Sequence, residues 1–394
     1  MYRNAVKFSC EIGVTLVFCV LLGFPLFNDL TGLVAEKAPH GIAQIENKLR
    51  FSVPSFLNKR YQKKATELAK KRSGYWGPFT LIGNQILLSA FYQISAFYNG
   101  SIIWGADGQV IQTAHLNHFN RRPDVTIDAK KLEARFLKLK QLQDEQQKRG
   151  KAVIVLISPN VIELYPQSVP DSFIDKTRLD RKSSYEHTKK RMDELNIRYI
   201  DGPQILEQAK SKYPFRLWAK TAAHWNDVAS CLVMSELNQK LINESLPSFD
   251  SFSCENWTMH YPPKNKDLDL IKLANVRFPH WYYEQTPYID ISKDPDRKKL
   301  KKPRVVMVGT SYLFAVSEML KSRKLSDRFV HYFYYRQRTA QNTKGLHRLV
   351  KQHIPWKEVL DREITIIDAP MRQTSSLGYG FVEDAHKKLR KLNS

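Results

Sequence analysis

The chain has 394 residues, 42% hydrophobic, 11% aromatic and 26% charged, a balance that excludes a wholly disordered or collagen-like protein. A mean hydropathy of −0.44 excludes a polytopic membrane protein but leaves room for one anchor. Four cysteines exclude a disulfide-built mini-scaffold and form no zinc-ligand pattern, and 62 basic against 39 acidic residues leave a formal charge of +23.

Residues 12–27, IGVTLVFCVLLGFPLF, carry no charge. A membrane span takes roughly 20 apolar residues, with a floor near 17, so residues 1–35 read as a slightly short transmembrane helix. Arg3 and Lys7 precede it, which keeps the N-terminus cytoplasmic and sends the rest of the chain outward. No A-x-A site follows closely, which favours an uncleaved signal anchor over a cleaved signal peptide; a buried core helix is the third reading. Arg3, Lys7, Glu11 and Asp29 cancel, so the whole excess charge lies on the exported part. Such a surface suits an acidic polymer or anionic lipid headgroups, and an exported protein rarely meets nucleic acid. Cys10 and Cys19 lie in or beside the apolar run, whereas Cys231 and Cys254 could pair in a cell-envelope compartment.

Residues 36–75 read as a basic stalk, crowded with Lys59, Arg60, Lys63, Lys64, Lys70, Lys71 and Arg72, near lipid headgroups or a membrane partner. Residues 76–394 then alternate strands and helices. A strand at 102–104 enters a turn, a charged amphipathic helix covers 130–148, and AVIVLI at 152–157 is a buried strand of parallel type. A helix at 184–195, a short strand at 198–201 and a helix at 228–241 follow. About 247–302 is rich in Pro, aromatic and charged residues and reads as an insertion with its own packing. Strands are expected at 304–308 (RVVMV), 329–335 and 363–367 (EITII), with helices from about 312 and at 382–392. This alternation predicts a three-layer α/β fold on a mainly parallel sheet, whose sites lie at the carboxyl ends of the strands.

Three strand ends and their neighbours carry chemistry. RVVMV runs into Gly309-Thr310-Ser311-Tyr312, which would lift the Ser311 hydroxyl to the sheet edge at a helix N-terminus, where N–H groups can hold an oxyanion. Ser311 could equally be a plain helix cap. His224, in KTAAHWN before a helix, is a base of the kind a serine nucleophile needs, although one histidine among eleven is more often structural. Asp368 and Arg372, after EITII, are either site residues or a simple ion pair. Trp225, directly after His224, either packs under the imidazole or offers a stacking face.

The order of these pieces resembles the alginate O-acetyltransferase family of the AlgJ and AlgX type, SGNH-hydrolase-like proteins of the bacterial envelope. Trp104 to Gly108 resembles the family's early G-x-D-G turn. Ser158-Pro159-Asn160 with Leu164 to Pro170 resembles its P-x-K and YPE-x-LP segment, with Val161 in place of the Lys. WAKTAAHWN at 218–226 resembles its histidine block, Val308 to Tyr312 its nucleophile block, and Asp368 to Arg372 its late E-x-x-x-R. The resemblance spans roughly residues 75–394.

The resemblance implies an SGNH-type O-acetyltransferase with no cofactor and no metal. Its nucleophile would be Ser311 and its base His224. The family places Asp two residues before His, where this chain has Ala222. A backbone carbonyl, Asp368 or Asp201 could stand in for the missing carboxylate, or the protein binds without turnover; Asp227, at the start of the next helix, is a poorer substitute. Arg336 and Arg338 sit where the family has an active-site Arg and could grip a sugar carboxylate, or be a surface pair. Trp225, Tyr312 and Arg372 complete the expected substrate contacts. The implied partners are an anionic exopolysaccharide and an MBOAT-type membrane acyltransferase, with the protein held in the bacterial inner membrane and its catalytic domain in the periplasm. The alternatives are a carbohydrate acetylesterase using the same residues, a basic polysaccharide-binding scaffold, and a membrane-surface interaction protein led by the stalk.

Overall fold

The computed structural model describes residues 49–72, 76–91, 93–96, 100–121, 129–290 and 302–393, with scattered residues between 15 and 31. The expected anchor therefore lies almost wholly outside the described residues. Among the described residues no helix is long and apolar enough to cross a membrane. The chain divides into two compact units, residues 1–103 with 271–281, and residues 104–270 with 282–394.

In the first unit, the expected stalk contains helices α1 (Val53–Leu57) and α2 (Arg60–Arg72). Ser52 caps α1, and the Ser52 and Ser55 hydroxyls each accept the other residue's backbone N–H. Helix α3 (Trp76–Phe91) and the antiparallel strands β1 (Gln93–Ala96) and β2 (Gly100–Trp104) follow.

The second unit opens with β3 (Val110–Gln112), α4 (Thr113–Phe119) and α5 (Ala129–Lys148). Strand β4 (Ala152–Ser158) is buried at every residue, as a central parallel strand should be. Next come α6 (Val161–Leu164), α7 (Ser184–Glu194), β5 (Tyr199–Asp201), α8 (Gly202–Ala209) and α9 (Asp227–Asn243). Asn226 starts α9 by accepting the Ala229 N–H at 3.0 Å. The expected insertion is structured: it holds β6 (Trp257–His260), α10 (Asp269–Ala274) and β7 (Thr286–Ile289), with β6 and β7 paired antiparallel. Cys231 and Cys254 form a disulfide that fastens this stretch to α9.

Strand β8 (Val305–Gly309), α11 (Leu313–Ser322), β9 (Phe329–Phe333), β10 (Gln337–Ala340), β11 (His347–Arg348), α12 (Trp356–Asp361), β12 (Ile364–Pro370) and α13 (Phe381–Asn393) complete the unit. The seven-stranded sheet has the order β11-β10-β9-β8-β12-β4-β5. The five strands from β9 to β5 are parallel, and β10 and β11 add an antiparallel edge. The sheet is thus mixed, with a parallel core.

Strand alternation makes the layers. Val153, Val155 and Ile157 of β4, with Val306 and Val308 of β8, share one core with Phe136 and Leu139 of α5 and with Phe381 and Ala385 of α13. The intervening Ile154, Leu156, Val305 and Met307 are equally buried on the other face. There α9 and α11 pack against each other. The expected strand through residue 335 ends at Phe333, because Tyr334 turns with a positive φ and donates its N–H to the Gly309 carbonyl at 2.7 Å.

Candidate active site

The parallel strands end together, and β8 delivers Ser311 to that edge. Gly309 is required there by close approach: a Cβ on it would lie 2.3 Å from the Asp368 Cβ. Asp368 is fully buried, and its carboxylate accepts from the Ser158 hydroxyl, the Thr310 hydroxyl and the Thr310 N–H at 2.9 Å. Burial pushes its carboxyl up from the ordinary range, against those hydrogen bonds. The network ties the carboxyl ends of β8, β12 and β4 into one piece. Ser311 follows directly, and Tyr312 and Leu313 begin α11, so the hydroxyl stands at a helix N-terminus.

His224 reaches the same point from the loop before α9. Its Nε2 lies 2.7 Å from the Ser311 Oγ, and its Nδ1 lies 2.6 Å from Oδ2 of Asp269. A carboxylate only accepts, so Nδ1 carries the proton and Nε2 is left to accept from the serine hydroxyl. Asp269 opens α10 within the expected insertion. Its other oxygen accepts the Ala223 N–H at 2.7 Å, and the Thr221 hydroxyl donates to the Asp267 carbonyl at 2.6 Å. Three hydrogen bonds therefore clip residues 267–269 to residues 221–224. The Tyr288 hydroxyl donates to the Asp267 carboxylate from β7, and burial pushes that carboxyl up to about 6.

Buried aromatic rings hold the imidazole. Tyr312 meets His224 edge-on at 5.1 Å, and Trp218 and Trp225 pack edge-on against Tyr312 at 6.0 and 5.8 Å. The Tyr334 hydroxyl interacts with Ser311 and with Arg372, and Arg372 also acts on Asp368, Tyr312 and His115. Burial, and then the nearby Arg372 charge, push His115 down to about 3, so it stays neutral. The Asn160 side chain is its hydrogen-bonding neighbour and opposes that shift. Among the described residues no cluster of His, Cys, Asp and Glu is arranged to hold a metal ion.

The structure brings Ser311, His224 and Arg372 to one neighbourhood and leaves other expected residues elsewhere. Asp368 is a correction: its carboxylate is spent on Ser158 and Thr310 inside the sheet, and it does not bond His224. Asp201 does not either; it accepts from Tyr185 and pairs with Lys189. Trp225 is 3% exposed and Tyr312 5%, so both are packing supports and not surfaces for a sugar. Arg336 and Arg338 are exposed on the β9–β10 turn and on β10, and no described hydrogen bond or ion pair joins them to Ser311 or His224. Sequence reasoning missed Asp269, Tyr334, His115 and Asn160. For Asp269 the only local signal was a carboxylate at the first position of a short helix.

A serine at a parallel-sheet edge, hydrogen-bonded to a histidine that is hydrogen-bonded to an aspartate, is the arrangement of a serine acyl-transfer or hydrolase site, which recurs on several unrelated folds. The family model described as SGNH hydrolase-like domain, acetyltransferase AlgX, matches residues 118–322, and the chain belongs to this family. No curated protein matches. Among solved structures the chain is similar to the O-acetyltransferase domain of Pseudomonas putida AlgJ, with 14% identity, 73% of this chain and 99% of that chain covered, and a TM-score of 0.45. It is similar to Pseudomonas aeruginosa AlgX with 13% identity, 72% and 67% coverage and a TM-score of 0.42. For Bacillus cereus PatB1 the values are 8%, 70%, 97% and 0.42.

Proposed function

We propose that the protein O-acetylates an exported, anionic exopolysaccharide through an acetyl-Ser311 intermediate. The observation that carries this reading is the continuous Ser311–His224–Asp269 hydrogen-bonded chain at the N-terminus of α11. His224 Nε2 takes the Ser311 proton as Oγ attacks the acetyl carbonyl, and Asp269 stabilises the imidazolium. The tetrahedral oxyanion is met by backbone N–H groups of the first helical turn. The donor's bond to the acetyl carbon then breaks, and its leaving group takes the proton from His224. In the second half a sugar hydroxyl gives its proton to His224 and attacks the acetyl carbon; the bond from that carbon to the Ser311 Oγ breaks, and Oγ takes the proton back from His224. Arg372 and Tyr334, beside Ser311, are the groups best situated to orient a polar substrate. The missing carboxylate at Ala222, which favoured a non-catalytic scaffold, loses that force because Asp269 occupies the role.

The surroundings are proposed on separate grounds. The disulfide and the charge-free run at 12–27 support an inner-membrane protein with its catalytic domain in the periplasm. An MBOAT-type membrane acyltransferase is the proposed source of acetyl groups. The charge of +23 suits an anionic polymer. Hydrolysis is the second reading, because the His224 and Asp269 side chains are 26% and 30% exposed and water can reach them.

Incubation of the full chain with p-nitrophenyl acetate, read by intact mass, tests the shared first step. An acetyl adduct absent from Ser311→Ala is expected; a folded protein that never carries the adduct overturns the reading. Addition of acidic oligosaccharides then separates the two fates. Acetylated sugar supports transfer, and free acetate alone supports the esterase.

A further inference from the structure

Helix α3 turns most of its large apolar side chains outward. A surface helix normally turns its apolar stripe inward and its polar residues to water. In α3, WGPFTLIGNQILLSAF, the two amides face inward: Asn84 Nδ2 donates to the Ala274 carbonyl at 2.8 Å, and Gln85 Oε1 accepts the Phe278 N–H at 3.1 Å. Leu88 is buried and Leu81 half-buried, but most of the other large apolar side chains face out. Ile82, Ile86, Leu87 and Phe91 are 47%, 57%, 42% and 68% exposed. None of its sixteen residues is charged. Trp281 of the same unit is 63% exposed and stacks on Phe278 at 4.5 Å.

An aqueous surface gives no reason for this inversion, but a lipid surface does. At 1.5 Å per residue α3 is about 24 Å long, shorter than the roughly 30 Å hydrocarbon core. Its amides are also held sideways by the backbone of residues 274–278, so it lies along a surface and does not cross one. Helix α2, just before it, carries six basic residues against the single Glu67, with Arg60, Lys63 and Lys64 exposed. A charge-free apolar face next to a polybasic helix, with an exposed tryptophan, has the composition of an interfacial element on an anionic leaflet.

We propose that the outward face of α3, with Trp281, beds into the headgroup–acyl boundary of an anionic bilayer. This contact is separate from any N-terminal anchor and does not depend on the reading of the Ser311 site.

The test uses the full chain with Cys10→Ser and Cys19→Ser, and an environment-sensitive fluorophore on Ile86→Cys. Ile242→Cys, an exposed apolar position on α9, is the control. In vesicles containing phosphatidylglycerol, the label at 86 is expected to shift to the blue and to be quenched by brominated acyl chains, while the label at 242 does neither. Lys63→Glu with Lys64→Glu is expected to weaken the quenching on anionic vesicles and not on zwitterionic ones. A label at 86 as wet as the label at 242 overturns the proposal. A blue shift without bromine quenching also overturns it, because protein then covers the face, either the chain's own apolar run or a second copy. If Ile86→Cys melts early, Ile82→Cys reads the same face.

Discussion

The two halves of the candidate site are built in opposite ways. Ser311 stands on β8, where Gly309, Thr310, Asp368 and Ser158 are buried and cross-bonded between three parallel strands. His224 stands on an irregular loop and Asp269 at the start of the short helix α10, both partly open to water, and they are registered by three hydrogen bonds between residues 221–224 and 267–269. The first half is fixed by the core of the domain, so change there is felt by the whole fold. The second is fixed by local clips, so a carboxylate can be supplied from a different segment if it reaches Nδ1. Under the proposed function, Asp269 is such a carboxylate, reaching Nδ1 from a segment other than the one that holds His224.

The largest effects should separate the halves by chemistry. Ser311→Ala is expected to abolish the acetyl adduct with little change in melting temperature, since one half-buried hydroxyl and its hydrogen bond to His224 are all that is lost. Asp269→Asn leaves the loop's shape but favours the wrong imidazole tautomer, and acetylation should fall by roughly 10³–10⁴-fold. Single-turnover mass spectrometry measures this, and thermal melting should change little. If Asp269→Asn reacts at the parent rate, Asp269 does not orient the base, and the clipped half of the comparison fails.

The sequence displayed the sheet half better than the clipped half. AVIVLI, RVVMV and EITII are legible because strands buried on both faces leave no polar interruption. Ser311 follows from its place after such a strand. Asp368 was misjudged for a physical reason: the strand was expected to stop at 367, but β12 runs to Pro370, and Asp368 lies opposite Leu156 inside the ladder. Asp269 lies 45 residues from His224, in a stretch without periodicity, and its place at the start of a short helix is too common a feature to single it out. The fold of that stretch is set by contacts such as Tyr288 with Asp267 and the Cys231–Cys254 bridge, which no spacing rule supplies. Helix α3 is misleading in the opposite way, because an uncharged run says nothing about which of its faces is turned inward.

Gly309→Ala tests the claim that the sheet half couples activity to stability. The new Cβ would overlap Asp368, so either β8 or β12 must move. Overpacking of this kind costs typically about 1–3 kcal/mol. Denaturant unfolding should therefore register a loss near the top of that range, together with loss of acetylation. Preserved stability with lost activity would mean that the strand end is as loosely held as the His224 loop.

The smallest expected effect concerns pH. His331 on β9 is fully buried between Phe314 and Phe333, and burial pushes its imidazole down to about 4. A group whose folded value is depressed leaves the native state untouched at high pH. As pH falls through the unfolded value near 6.5, the unfolded chain takes up the proton first, so stability is lost until the folded value is reached. Between pH 8 and pH 5 this one residue should cost the native protein about 2 kcal/mol. His331→Leu removes the titration, so whatever it does at pH 8, its stability relative to the parent should improve by about that amount at pH 5. Equal shifts at both pH values would mean that water reaches His331 in the folded state, or that its hydrogen bond to the Gly309 backbone outweighs its burial. The sheet half would then be less sealed than the Asp368 network implies.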